Sequence, residues 1–236
     1  MRILHRTAGL IPCFSFRAGT KEMIIDHDHP AYRKKWDTMG MGRYNGAFYY
    51  SKEIVKNIIP NVETDRNWVT ILVPNTCVDH SIVFIHNNVN MGLYDYLKDY
   101  KDLIIVCGVQ ETVKKIKQHT GHKAIYLPLS VDVEYVQQFI RLKTKDTAYV
   151  GRMEKTKYMS LPPNIDYIHG IKRRDMLPIV AEYEKIYAVG RTAIEGRILG
   201  CKIINADKRY PNKRWRVLDN KDAAKILQDK LDKLGG

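Results

Sequence analysis

The sequence has little of what would assign it to several common classes of protein. No apolar run approaches the ~20 residues that a membrane-spanning helix needs, and the first residues lack the apolar core of a signal peptide. The four cysteines are far apart and have no paired spacing typical of zinc or redox sites. We therefore expect a cytoplasmic protein with reduced thiols, rather than a transmembrane protein, a disulfide scaffold or a zinc-binding module.

Acidic residues are scarce relative to basic ones: 26 aspartates and glutamates compare with 39 lysines and arginines, so the formal net charge is +13. A field of this sign attracts a polyanion such as DNA or a cell-wall polymer, a nucleotide, or an anionic membrane surface. In the basic segment 208–216, Trp215 lies between Arg214 and Arg216. An indole there can stack on a base while the arginines contact phosphates. We predict that these three residues bind a polyanion; the same charge would also suit a peripheral position at the inner membrane face.

Short apolar runs alternate with segments of helical spacing over most of the chain. Residues 103–107 form a continuous apolar run typical of a buried strand, and residues 110–119 have the spacing of an amphipathic helix. A further helix is expected over residues 134–142. Because such alternation favours parallel βαβ units, the sequence predicts an α/β protein with two small Rossmann-like halves.

The most informative segment is residues 187–204, which indicates a strand, a glycine turn, a short helix and another strand. The carboxyl end of a strand and the amino end of the next helix form a crevice that favours anionic groups. Gly190 allows a tight turn there, Arg191 can donate two hydrogen bonds to a phosphate, and Thr192 can cap the helix or donate its hydroxyl. Glu195 follows one turn later, where its carboxylate can accept two sugar hydroxyls. We predict a site for a phosphorylated sugar or nucleotide.

Three motifs, in this order, resemble those of retaining, glycogen-synthase-like glycosyltransferases of the GT-B fold (family 4 type). LPLSVD at 127–132 is similar to the turn at the entrance of the family's second domain, and TAYVGR at 147–152 to the strand that meets the donor pyrophosphate. GRTAIEGRILGCKII at 190–204 resembles the nucleotide-sugar-binding signature, and Tyr187 stands where the family often has a second glutamate. The resemblance implies two Rossmann-like halves with a cleft between them.

The resemblance also implies domain boundaries and donor-site roles. An acceptor-side domain would cover residues 1–130 and a nucleotide-sugar-binding domain residues 131–210, while residues 211–236 would form a basic segment and a helix packing back on the first domain. Glu195 would bind the donor ribose, and His169 the base or ribose. Negative charge on the diphosphate grows in the transition state and would be stabilised by residues at the end of the TAYVGR motif and just after it. These are Gly151, Arg152, and Lys155 or Lys157.

The first half offers candidates for binding an acceptor. His86 follows a buried strand, where α/β scaffolds place catalytic groups, and is predicted to orient or deprotonate an acceptor hydroxyl. Asn87 and Asn88 would bind sugar hydroxyls. The segment 26–29 has four potential metal ligands, but neighbours on an extended chain point to opposite faces. We expect Asp28 to shape the acceptor cleft, and we expect neither an essential metal nor a resident cofactor.

Together these features predict a hexosyltransferase that moves a sugar from a nucleoside diphosphate sugar, with UDP-sugar favoured, to a hydroxyl acceptor. Two alternatives stay open. One is a phage-type glucosyltransferase acting on hydroxymethylated DNA bases, which would extrude its target base. The other is a non-catalytic protein that only binds the nucleotide sugar. The sequence leaves the donor sugar, the acceptor and the stereochemical course undetermined.

Overall fold

The structure is a computed structural model that describes residues 7–8, 11–12, 14–16, 53–71, 79–85, 95, 97–209 and 214–235. The protein is a mixed α/β protein with two compact units. The first unit contains the described residues up to 128 and those from 221 onward, and the second contains residues 129–220. None of the helices in these ranges has both the length and the hydrophobicity that crossing a bilayer requires.

Eleven strands and five α-helices have described bounds. In chain order the strands are β1 (Thr7–Ala8), β2 (Ile11–Pro12), β3 (Phe14–Phe16), β4 (Asn67–Ile71), β5 (Ser81–Ile85), β6 (Leu103–Cys107), β7 (Lys123–Tyr126), β8 (Lys145–Val150), β9 (Asp166–Ile168), β10 (Tyr183–Tyr187) and β11 (Lys202–Ile204). The helices are α1 (Gln110–Thr120), α2 (Val133–Gln137), α3 (Arg173–Val180), α4 (Arg191–Ile198) and α5 (Asn220–Gly235). Shorter helical turns are one π-helical turn (Ile54–Ile58) and two 3₁₀ turns (Ile59–Asn61 and Met153–Tyr158).

The first unit is built on a five-stranded sheet of order β3-β4-β5-β6-β7. Strands β4 to β7 are parallel, and β3 is an antiparallel edge strand. Every residue of β5 and β6 is buried, as expected for parallel strands covered on both faces. Helix α5 is joined to β7 by two hydrogen bonds. Lys123 Nζ donates to Leu234 O at 2.9 Å, and Lys230 Nζ donates to Tyr126 O at 2.6 Å.

The second unit is a four-stranded parallel sheet of order β11-β10-β8-β9. The chain passes from β8 outward to β9, then crosses back to the other side of β8 to form β10 and continues to β11. Strands β8 and β10 are therefore the neighbours at which the strand order reverses. Open parallel sheets bind ligands beyond the carboxyl ends of the strands at such a switch point.

The two faces of this sheet are covered differently. Helices α3 and α4 share one face, where their buried residues join one core with Ala148 of β8 and Ile186 of β10. The opposite face bears a row of directly paired tyrosines, Tyr187, Tyr149 and Tyr167, because paired residues of parallel strands point the same way. Tyr149 is fully buried, and its hydroxyl donates to Arg152 O at 2.7 Å. The turn after β8 therefore covers Tyr149, whereas Tyr167 of the same row is 46% exposed.

Gly196 allows α4 to lie close to the sheet. A Cβ at this position would lie 3.0 Å from Ile203 Cδ1 and still closer to Ile186 Cδ1. Alanine normally favours a helix over glycine by ~1 kcal/mol, but crowding a packed core costs about 1–3 kcal/mol. We expect Gly196→Ala to lower the free energy of unfolding, measured by urea denaturation followed by circular dichroism.

Two comparisons check this packing effect. Gly235→Ala is the control, because a Cβ at Gly235 meets nothing within 4 Å and should not destabilise the protein. Ile186→Val removes the Cδ1 atom that a new Cβ at Gly196 would meet first, so Gly196→Ala should cost less in that background. An equal cost in both backgrounds would contradict the packing explanation.

Candidate functional site

The carboxyl edge of the second sheet gathers the segments singled out in the sequence. Gly151 and Arg152 follow β8, His169 follows β9, and Gly190 and Arg191 follow β10. Since β8 pairs with both β9 and β10, these segments leave neighbouring strands at one edge. His169 is exposed there. The edge therefore brings together residues far apart in sequence, at the switch point of the sheet.

The turn after β10 requires glycine at its centre. Gly190 is the N-cap of α4 with φ +66° and ψ −139°, a conformation that essentially only glycine adopts. Its carbonyl accepts bonds from the N–H groups of Ala193 (3.1 Å) and Ile194 (3.3 Å). Because Gly190 is the N-cap, Thr192 is the second helical residue. The prediction that Thr192 caps the helix is therefore wrong. Thr192 is partly buried, and its hydroxyl stays a candidate donor.

Glu195 is buried between two arginines. Its side chain is 3% exposed, and its Oε1 atom lies 2.6 Å from Arg173 Nε and 3.5 Å from Arg191 Nε. The two arginines are the first residues of α3 and α4, and their side chains are 13% and 12% exposed. The Arg173 guanidinium also lies over the ring of Tyr135, 5.2 Å from its centroid. The predicted ribose ligand is therefore engaged by guanidinium groups in this structure.

Lys155 belongs to a basic group after β8. Burial lowers its pKa, and the positive charges of Arg152 and Arg209 lower it further. Arg152 is exposed and is the N-cap of the turn Met153–Tyr158. Lys157 is exposed, with its ammonium 5.0 Å from the ring centroid of Tyr158. Of the two lysines that the sequence left open, Lys155 is the one grouped electrostatically with Arg152.

Asp207 and Arg209, which the sequence did not single out as site residues, complete this basic group. Asp207 is buried, and its Oδ1 and Oδ2 atoms accept from Arg209 Nε (3.0 Å) and Nη2 (2.6 Å). These bonds lower the pKa of Asp207. The Arg209 guanidinium also lies 4.0 Å from the ring centroid of Tyr158. The sequence signal that could have identified these two residues is an Asp-x-Arg pair shortly after β11, the last strand, at the same carboxyl edge of the sheet.

Comparison with known proteins assigns no family. No protein-family model matches the chain, and no curated protein is significantly similar to it. Four arginines and one partly buried lysine lie at the carboxyl edge of an open parallel sheet: Arg152, Arg173, Arg191, Arg209 and Lys155.

The predicted polyanion-binding segment is divided between core and surface. Trp215 is 9% exposed and belongs to the hydrophobic core of the second unit. A ring packed in the core is not available for stacking on a base, so that expectation for Trp215 is corrected. Arg214 and Arg216 on either side of it are exposed. Of the three residues predicted to bind a polyanion, these two arginines keep the predicted capacity to contact phosphates.

The predicted acceptor residues Asp28, His86, Asn87 and Asn88, with the rest of segment 26–29, lie outside the described residues. Within the described ranges, no three histidine, cysteine, aspartate or glutamate side chains come together as a metal site would need. Two of the four cysteines, Cys107 and Cys201, lie in these ranges as buried free thiols. Burial raises the pKa of Cys107 to about 12, so it is an unreactive thiol.

Proposed function

We propose that the second unit binds a nucleoside diphosphate sugar through its diphosphate, and that the protein is a glycosyltransferase of the GT-B, glycogen-synthase-like kind. One observation carries the proposal: Gly151-Arg152 and Gly190-Arg191 leave the two strands at which the strand order of the sheet reverses. This is the position at which open α/β sheets bind nucleotides. The preference for UDP and for a hydroxyl acceptor rests on the sequence resemblance.

The basic groups suit a leaving diphosphate. Negative charge grows on the diphosphate as the glycosidic bond breaks, so cations already in place stabilise the transition state more than the ground state. Lys155 is partly withdrawn from water, which strengthens its electrostatic interaction with an anion. Arg152 and Arg209 share its electrostatic environment. In the proposal, Lys155 and Arg152 contact the diphosphate, while the positive charge of Arg209 is offset by its ion pair with Asp207.

Helix α4 contributes to the same site from the β10 side. Its first-turn N–H groups and its dipole favour an anion at the amino end. The N-cap is a glycine, so no side-chain cap occupies this end of the helix. Arg191 at the first helical position adds a guanidinium that can donate two hydrogen bonds to a phosphate. In the proposal, Gly190, Arg191 and Thr192 hold the phosphate farther from the reacting sugar.

Binding and turnover are tested separately. We expect UDP to raise the melting temperature of the protein, since a ligand that binds only the folded state stabilises it. We expect incubation with UDP-glucose or another UDP-sugar that binds to release UDP, detected by chromatography, and added acceptor to increase the rate. Absence of any nucleotide-dependent stabilisation contradicts the proposal. Binding without release for every donor supports the non-catalytic alternative.

Replacing Lys155 with methionine should separate binding from stability. Removing one charge-assisted hydrogen bond to phosphate is expected to weaken UDP binding by about tenfold, or about 1.4 kcal/mol. The unliganded variant should be at least as stable as the wild type at neutral pH, because a lysine whose pKa is lowered by burial opposes folding while it is charged. Calorimetric titration with UDP and thermal unfolding without ligand measure the two effects.

The pH dependence and a control complete this test. A lowered pKa means that the folded state binds fewer protons, so stability rises with pH between the folded-state pKa and the higher pKa of an unfolded lysine. The stability advantage of Lys155→Met should therefore be largest below that window and disappear above it. Lys157→Met is the matched comparison, because Lys157 is the other lysine that the sequence offers for this role but is exposed, whereas Lys155 is partly buried. If both variants weaken UDP binding equally, Lys155 has no special place in the site.

A further inference from the structure

Glu195 is poorly placed to recognise a ribose. A carboxylate that accepts two ribose hydroxyls must present its oxygens to the ligand, but only 3% of this side chain is exposed. Oε1 already contacts the Nε atoms of Arg173 and Arg191. Charged hydrogen bonds of this kind are stronger than those to neutral hydroxyls. A ribose hydroxyl would therefore compete with two guanidinium groups for Oε1 and would offer a weaker contact.

The two arginines are held where an anion would meet them. Arg173 begins α3 after β9 and Arg191 begins α4 after β10, so both start at the carboxyl edge of the sheet. Arg191 and Glu195 are four residues apart on one helix, a spacing that places them on the same face. Arg173 comes from the neighbouring helix and is held on another side by Tyr135. Both side chains are therefore fixed before a ligand arrives.

We infer that Glu195 is a positioning residue that orients Arg173 and Arg191 to bind a diphosphate, and that this site recognises the diphosphate rather than the ribose hydroxyls. The inference rests on the proposed function, since it assigns a role within the same site. Each guanidinium carries five N–H donors, and its contact with Glu195 is made through Nε. Fixing a long side chain in advance removes an entropic cost that binding would otherwise incur. Arg173 becomes a ligand-binding residue that the sequence motifs did not include.

The first test compares three ligands by calorimetric titration of the full chain: UDP, 2′,3′-dideoxy-UDP and inorganic pyrophosphate. The wild type is expected to bind UDP and its dideoxy analogue within about twofold of each other, since no buried polar group is left unpaired when the hydroxyls are removed. Were Glu195 the ribose ligand, removal of both hydroxyls should weaken binding by about tenfold or more. That result would overturn the inference.

The second test is a double-mutant cycle between Arg173 and Glu195. Arg173→Met is expected to weaken UDP and pyrophosphate binding alike, by about tenfold, because it removes a charge-assisted hydrogen bond to the ligand. In the Glu195→Gln background the same substitution should cost only about two- to threefold, because Arg173 is no longer held. Glu195→Gln also removes a negative charge, which acts in the opposite direction on anion binding. The test therefore depends on the coupling between the two residues and not on the sign of the Glu195→Gln effect.

Controls separate the possible failures. Glu184→Gln removes one exposed carboxylate from the same unit and should leave the effect of Arg173→Met unchanged. Arg173→Lys keeps the positive charge but lacks the paired N–H donors of the guanidinium. It replaces Arg173→Met if that variant does not fold. An equal cost of Arg173→Met in both backgrounds overturns the positioning role. Binding of pyrophosphate without any nucleoside diphosphate supports the inference and contradicts the proposed function, and binding of neither overturns both.

Discussion

Trp215→Ala is expected to lower the free energy of unfolding by about 3–5 kcal/mol, the usual cost of removing a large aromatic side chain from a core. Trp215 is 9% exposed and lies in the same buried cluster as residues of the β8–β10 sheet and of helices α3 and α4. Removing the indole leaves a cavity in the core that these helices share. Urea denaturation followed by far-ultraviolet circular dichroism measures the decrease without relying on tryptophan fluorescence.

The neighbouring arginines supply the matched control. Arg214 and Arg216 are exposed, so replacing both with alanine should change stability by less than about 0.5 kcal/mol per site. If the segment binds a polyanion, the same double variant should reduce the salt dependence of DNA binding. The slope of log affinity against log salt concentration should become shallower by about 0.9 for each phosphate that the protein no longer neutralises. A Trp215→Ala protein with wild-type stability would contradict the core position of this residue.

Segment 208–216 illustrates why alternation of basic and aromatic residues is ambiguous in a sequence. A tryptophan between two arginines suits an exposed stacking surface, but it equally suits an extended chain whose successive side chains point in opposite directions. The structure has the second arrangement, with Trp215 inward and the arginines outward. Which side of such a segment faces the core depends on contacts with residues distant in the chain, and no local pattern contains them.

Strands β5 and β6 were predictable because parallel strands buried on both faces are continuous apolar runs. Strand β6 and helix α1 form where their patterns predict them. The helix expected over residues 134–142 was too long: α2 ends at Gln137, and the next turn forms tighter bonds from Phe139 N to Val136 O and from Ile140 N to Gln137 O. Leu142, counted in that pattern, is 83% exposed, so the apolar spacing was misleading.

The candidate site was predictable only where one segment contains it. The turn of Gly190 and Arg191 follows from a local strand-glycine-helix pattern, and it forms as that pattern predicts. Arg173 lies 22 residues from the Glu195 that it contacts, in a cluster of basic residues that by itself indicates only a solvated surface. Arg209 likewise depends on β11 ending at the same edge as β8. Partners on different elements become visible only when the order of strands is known.

Lys143→Met is expected to lower the free energy of unfolding by about 2–3 kcal/mol, because it removes two charged hydrogen bonds to backbone carbonyls. Lys143 Nζ donates to Ala181 O at 2.7 Å and to Leu199 O at 2.6 Å. These carbonyls belong to the C-caps of α3 and α4, where a positive charge also interacts favourably with the helix dipole. Methionine keeps an apolar stem of similar length, so the substitution tests the ammonium group. Urea denaturation measures the decrease.

The same two helices are joined at their amino ends by Arg173, Glu195 and Arg191. Lys143 therefore holds together, at the carboxyl ends, the helices that present the proposed diphosphate site at the opposite ends. If their relative position matters for binding, Lys143→Met should also weaken UDP binding although it is remote from the ligand. Lys145→Met is the control, because Lys145 is exposed and its ion pair with Glu182 is expected to contribute little to stability. Equal destabilisation by both variants would show that Lys143 acts as an ordinary surface charge.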